Sequence, residues 1–306
     1  MALGEGCWGV RLANKSGTGT PGPHQTARVS RTAARPAARN GSGAASLLIR
    51  MTDTSQYPSR RAFLLAGVGV AAALTLPASR LLRAAPGTRL SARPRKPSRS
   101  IEPGVHPLGL AAGGRDALIY VPASYDAKTP APLMLSLHGA TQAGQLMTTR
   151  LQSVADALGC PVLAPDSRGV TWDAIRGDFD VDVAFIDRAL AWTFDRVNAD
   201  PKRVWLSGFS DGASYGLSLG LANGDFFSRV LAFSPGFVIP AERVGKPRVF
   251  VSHGRQDQIL PIDRCSRVLV PQLTRDGYDV RFDEFDGGHR MPPEILEAAT
   301  LWLRSA

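Results

Sequence analysis

The fold turns on "LSGFSDGASYGLSLG", Leu206 to Gly220, where Gly208-Phe209-Ser210-Asp211-Gly212 sets a serine between two glycines. The five-residue pattern alone arises by chance in a chain with 31 glycines. Its flanks carry the information. "RVWLSG" before it is apolar and β-prone, and "DGASYGLSLGLA" after it has a helical pattern. Strand, sharp turn and helix are the setting that presents a serine as a nucleophile. Small residues at 208 and 212 let strand and helix approach closely. The helix N-terminus behind the serine offers free N–H groups and partial positive charge.

Further strand-like runs lie at 117–121, 133–137, 161–164, 230–233, 249–252 and 280–285. Helical patterns cover 144–158, 180–197, 264–275 and 294–303. Strands alternating with helices predict an α/β fold, with a mostly parallel central sheet covered by helices on both faces. No internal repeat is visible. There is little room for a large lid domain, so an open site is expected.

The net charge of +10 is unevenly spread. Residues 1–100 hold 16 Lys/Arg against 2 Asp/Glu, whereas residues 101–306 hold 20 against 24. The basic excess belongs to the first third, and the remainder is mildly acidic. A basic leader is not the footprint of a nucleic-acid surface, so no nucleic-acid partner is expected. Cys7, Cys160 and Cys265 form neither a disulfide framework nor a zinc spacing.

Residues 1–50 are rich in Gly, Ala, Ser, Thr and Arg without apolar period, and disorder is expected there. Arg60-Arg61 then precedes an apolar stretch from Ala62 to Leu76, closed by Pro77-Ala78-Ser79. Fifteen residues are short for a bilayer span and fit a signal h-region. Residues 51–79 resemble a twin-arginine export signal, with Leu65 where a lysine is usual. The expected location is periplasmic or extracellular, and the only membrane contact expected is through the signal. Met51 is the expected true start, with 1–50 an over-extended reading frame. Residues 80–104 read as a linker and 105–306 as the folded domain.

A serine hydroxyl needs a base. In this chain order, nucleophile then acid then histidine, only His253 and His289 follow Ser210. His289 lies in "FDGGHRMPPE", in the loop between the last strand and the last helix, where such sheets place active sites. It is the expected base, and His253 is expected to brace its loop. Asp257, in "HGRQDQILP", is the expected acid that orients the imidazole. Asp286 reads as local turn chemistry, and Asp263 as a helix N-cap. The developing oxyanion needs two aimed N–H donors. These are expected from Asp211, after the nucleophile, and from Ala140 in "LHGAT". An ordinary glycine turn with a structural His138 is the alternative for that stretch. Trp172, Phe209 and Met291 are pocket candidates, although such residues more often form plain core.

Two other patterns imply nothing. "GVGVAA" at 67–72 mimics a dinucleotide fingerprint but has no strand before it and no acidic residue after it. Asp178, Asp180 and Asp182 alternate as in a calcium loop, but Val183 and Ala189 stand where Gly and Glu are needed. No cofactor and no metal are expected.

With these residues in place, 105–306 resembles an α/β-hydrolase. The resemblance is to the phospholipase/carboxylesterase family, near the feruloyl-esterase and polyhydroxybutyrate-depolymerase-like esterases. It rests on "LHG" at 137–139, "DVDVAFIDRAL" at 180–190, "DPKRVWLSGFSDGASYGLSLGL" at 200–221, "HGRQDQILP" at 253–261 and "GGHRMPPEILEAATLWL" at 287–303. It implies a Ser210–His289–Asp257 triad and hydrolysis of a small or polymeric carboxylic ester through an acyl-enzyme. Asp211 departs from the Gln or Met often found after the serine, and its carboxylate must point away from the oxyanion. Thioesterase, peptidase or acyltransferase chemistry on the same triad, or a non-catalytic binding protein, are the alternatives.

Overall fold

The computed structural model describes residues 87–112 and 114–305. The expectations for 1–50, for the signal at 51–79 and for 80–86 lie outside the described residues.

Eight strands form one sheet: β1 (Gly104–Pro107), β2 (Ala117–Val121), β3 (Ala131–Leu137), β4 (Val162–Pro165), β5 (Ala199–Phe209), β6 (Arg229–Phe233), β7 (Arg248–Gly254) and β8 (Val280–Phe285). Their order is β1-β2-β4-β3-β5-β6-β7-β8. β1 and β2 are antiparallel to their neighbours, and the six strands from β4 to β8 are parallel. The central strands are buried on both faces, which is why β3 reads as a continuous apolar run rather than an alternating one.

The helices are α1 (Gly144–Arg150), α2 (Gln152–Leu158), α3 (Val181–Phe194), α4 (Asp211–Ala222), α5 (Ser266–Arg275) and α6 (Pro293–Arg304). One core cluster joins α3, α4 and α5 to the sheet, and a second joins α1, α2 and α6 to it. The expected α/β-hydrolase arrangement, helices on both faces of a mostly parallel sheet, is the one observed.

Three local readings differ. The helix expected over 144–158 is two helices, broken at Leu151 (φ −97°, ψ 5°). The break lets Leu151, Val154 and Ala155 reach the core shared with α6, and neither Gly nor Pro marks it in the sequence. Asp263 is not an N-cap: α5 begins three residues later, and Asp263 instead pairs with Arg267 at 2.7 Å.

The third difference concerns the linker. Its described part, 87–103, has no strand or helix yet lies on the domain. Leu90 is 3% exposed and sits in the core. Its N–H donates to Asn223 at the end of α4, and Asn223 donates to the Thr88 carbonyl. Arg89 and Arg93 pair with Asp225, and Arg95 and Arg99 with Asp195. The Ser91 and Ala92 N–H groups donate to Asp187. Part of the charge split thus has a local cause, a basic segment lying across acidic helix surfaces. Exposed pairs contribute little singly. Burial of Leu90 and the Asn223 clasp supply the anchoring.

Candidate active site

Ser210 ends the turn between β5 and α4. Its backbone has φ 58°, ψ −123°, a conformation costly for any residue with a side chain. The turn persists because its surroundings fix it. The Ser210 N–H donates to the Phe233 carbonyl of β6 (3.0 Å), and its own carbonyl accepts from Ala213 and Ser214. A Cβ at Gly208 would lie 2.1 Å from the Gly212 carbonyl oxygen, so only glycine lets α4 start this close to β5.

The loop after β7 brings up Asp257. Gly254 begins it, where a Cβ would lie 2.3 Å from the Gly287 carbonyl oxygen; the missing side chain lets the loops after β7 and β8 touch. The Asp257 side chain is fully buried. Its Oδ1 accepts the N–H groups of Ile259 and Leu260, both at 2.9 Å. Its Oδ2 lies 2.6 Å from His289 Nδ1. Burial pushes the Asp257 carboxyl up, but the Leu260 N–H and His289 outweigh it and hold the group below its ordinary value. An ionised Oδ2 is an acceptor, so Nδ1 of His289 carries the proton and Nε2 is the basic nitrogen. That Nε2 is buried and makes no hydrogen bond. The imidazole packs on Phe209, ring centroids 4.8 Å apart, and Phe209 directly precedes Ser210. The structure therefore joins Asp257 to His289 directly and brings His289 beside the serine turn. It makes no Ser210–His289 hydrogen bond, a contact that often tightens only with substrate bound.

The stretch 138–142 lies against the serine turn: the nearest atom to a Cβ built on Gly139 is Ser210 Cβ, at 3.2 Å. The Ala140 N–H has no acceptor among the described residues. Asp211 is the first residue of α4, so its N–H has no intrahelical partner. The Asp211 carboxylate is held aside by the Thr171 hydroxyl, which donates to Oδ2 at 2.7 Å.

His138 is structural, and buried. The Ser167 N–H donates to its Nε2 at 2.9 Å, and an Arg115 N–H approaches the same atom at 3.0 Å. Nε2 is therefore unprotonated, and Nδ1–H donates to the Gly139 carbonyl at 2.7 Å. Burial, with help from Arg115, holds His138 below its ordinary pKa. The ring thus fixes the loop that carries Ala140 while staying neutral.

Two of the pocket candidates are core. Trp172 is 1% exposed, donates Nε1–H to the His138 carbonyl and stacks on Tyr215. Phe209 is 3% exposed beneath His289. A large aromatic beside a motif is buried by its own apolar area. Met291 is half-buried, packed against the α6 side of the core. Sequence reasoning reads "PDSRG" at 165–169 and "TWD" at 171–173 as a loop beside the site, but does not foresee Thr171 as the anchor of Asp211 or Ser167 as the anchor of His138. No motif marks either, because both contacts cross between loops distant in sequence.

Residues 184–305 match the phospholipase/carboxylesterase family. The chain is 26% identical over 223 residues to a probable feruloyl esterase C of Aspergillus niger, covering 62% of this chain and 80% of that one. It is 33% identical over 155 residues to a bifunctional acetylxylan esterase/xylanase of Neocallimastix patriciarum, covering 48% of this chain but only 22% of that protein. Among solved structures, it resembles a phospholipase/carboxylesterase of Dyadobacter fermentans (TM-score 0.50, 16% identity, 64% of this chain and 99% of that one). It also resembles the fluorophosphonate-binding serine hydrolase F of Staphylococcus aureus (TM-score 0.53, 13% identity, 67% and 100%). At such identities the structural likeness speaks for the fold.

Proposed function

We propose that this chain, an α/β-hydrolase with a phospholipase/carboxylesterase domain, is a serine hydrolase of carboxylic esters that works through Ser210, His289 and Asp257. The observation that carries the reading is the state of His289. Asp257 holds its Nδ1–H, and its unpartnered Nε2 lies next to a strained serine turn.

In this mechanism Nε2 takes the Ser210 proton as Oγ attacks the ester carbonyl. The carbonyl oxygen becomes an anion and accepts the N–H groups of Ala140 and Asp211. The imidazolium, stabilised by Asp257, gives its proton to the leaving alcohol. The acyl-enzyme forms, and water attacks it with His289 again as base. The Thr171 contact matters here, because a loose Asp211 carboxylate beside an oxyanion would oppose the charge that develops.

The feruloyl and acetylxylan esterases among the relatives support short or aryl acyl groups, on a small or polymeric alcohol. The test is hydrolysis of p-nitrophenyl esters from acetate to decanoate, beside methyl ferulate. Turnover should be fastest on acetate or ferulate and fall towards decanoate. A folded protein without turnover on any of them would refute the esterase reading.

The enzyme is further proposed to act after export, on the strength of Arg60-Arg61 and the apolar stretch behind them. A reporter fused to residues 51–90 should cross the membrane, and Arg60→Lys with Arg61→Lys should stop it. A reporter that stays in the cytosol behind the intact leader sinks that proposal.

A further inference from the structure

We propose that His253 is the positioning residue of the catalytic acid: its Nε2–H, donated to the Leu260 carbonyl with Asp257 Oδ2 as the longer contact, fixes the carboxylate in line with His289. The inference rests on reading Asp257 and His289 as the catalytic pair.

His253 stands at the end of β7, four residues before Asp257, and both side chains are fully buried. Its Nε2 lies 2.7 Å from the Leu260 carbonyl oxygen and 3.2 Å from Asp257 Oδ2. Both are acceptors, so Nε2 carries the proton: it donates to the Leu260 carbonyl, with Oδ2 as the longer contact. Nδ1 lies 2.7 Å from the hydroxyl of Ser266, the first residue of α5. Burial holds this imidazole below its ordinary pKa, although the Leu260 carbonyl and Asp257 pull the other way, so the neutral ring accepts the Ser266 proton at Nδ1. The tautomer is thus set at both ends.

Three N–H groups donate to the Asp257 carboxylate, and His253 Nε2 lies 3.2 Å from it as a fourth, longer contact. Ile259 and Leu260 hold Oδ1, while His289 and His253 hold Oδ2. The two backbone donors lie on Asp257's own loop and move with it. Among the described residues, His253 is what ties Oδ2 to a strand of the sheet, and Ser266 ties His253 to α5. The other ionisable neighbour is the Cys265 thiol, which burial raises, with Asp257 adding to the effect.

Two consequences distinguish this role from packing. Without the His253 donor, Oδ2 has one partner and freedom to turn, so the chemical step slows. The same loss leaves a more basic carboxylate, which favours the His289 cation and moves the acid limb of the rate profile to higher pH.

The experiment compares His253→Leu, which fills the space without a donor, with His253→Gln, whose amide restores an N–H near Nε2. His253→Leu should lower kcat about tenfold to a hundredfold, with KM changed less than about twofold and the acid limb of kcat/KM raised. His253→Gln should return to within about threefold of the parent, with the limb in its original place. The low-field proton resonance of His289 Nδ1–H should shift in the first variant and not in the second. A folded His253→Leu protein with unchanged kcat and limb overturns the proposal, as does a Gln variant as impaired as Leu. Should His253→Leu fail to fold, Ser266→Ala decides: it removes the hydroxyl that fixes Nδ1, and an unmoved His289 resonance overturns the role. The resonance needs no turnover. An inactive parent would therefore count against the esterase reading, while the proton shift would still judge His253.

Discussion

Ser210→Ala should lower kcat/KM on p-nitrophenyl acetate by about 10⁴-fold or more, while the unfolding temperature moves by no more than about 2 °C. The large effect follows because no other group can stand in. Cys160 is fully buried, and its thiol is pushed up by that burial; the Cys265 thiol is raised by burial too, and beside Asp257 it is held from ionising. Ser214, the next serine in α4, is 1% exposed and bonded to the Gly236 N–H. On the proposed mechanism, what survives in the variant is the oxyanion site and substrate binding alone. The small thermal effect follows from the same geometry. The structure gives the Ser210 hydroxyl no hydrogen bond to lose, and alanine meets the same backbone strain at φ 58° as serine does. Retention of more than a hundredth of the parent rate would remove Ser210 from the mechanism. A large fall in unfolding temperature would mean that the lost rate reports unfolding.

What the sequence made legible here was whatever lies close together along the chain. The turn at 208–212 has strand, glycines and helix within fifteen residues, and the structure has the same elements there. The expected positions of Asp257 and His289 came from chain order and from loops at strand ends, and the structure joins those two side chains. The contacts that hold those side chains in place were not legible. His253 was expected to brace its loop but not to reach Asp257, because that distance depends on how tightly the turn at 254–257 closes. Thr171 became visible only when the loop before α3 met the start of α4. The segment 87–103 read as a tether since its composition is that of one. Its order comes from Asn223, Asp187, Asp195 and Asp225, each about 90 residues or more away. Trp172 stood as a pocket candidate with plain core the commoner reading, because aromatic type does not tell lining from core.

The Asp257→Asn variant is expected to lose about 10³- to 10⁴-fold in kcat/KM while binding substrate nearly as well, the scale set when a buried triad aspartate becomes an asparagine. The two oxygens of Asp257 are not equivalent. Oδ1 accepts two backbone N–H groups, so the oxygen of the asparagine must stay there. Its NH₂ then occupies the place of Oδ2, facing the protons on His289 Nδ1 and His253 Nε2. His253 can keep its proton on the Leu260 carbonyl. His289 has no second acceptor at Nδ1, so it must accept there and move its own proton to Nε2. The nitrogen beside the serine turn is then a donor and can take no proton from Ser210. The loss is one of tautomer, not of shape, and KM should change by less than about threefold. The same substitution has a signature in stability. The folded carboxyl lies below its ordinary value of 3.8, so its stabilising contribution is complete above that pH and fades as the pH falls through the lower folded value. The gap in unfolding free energy between parent and variant should therefore lose the carboxylate's contribution as the pH falls below about 4. A variant that keeps more than a tenth of the parent kcat/KM would mean that the carboxylate does not set the proton on His289.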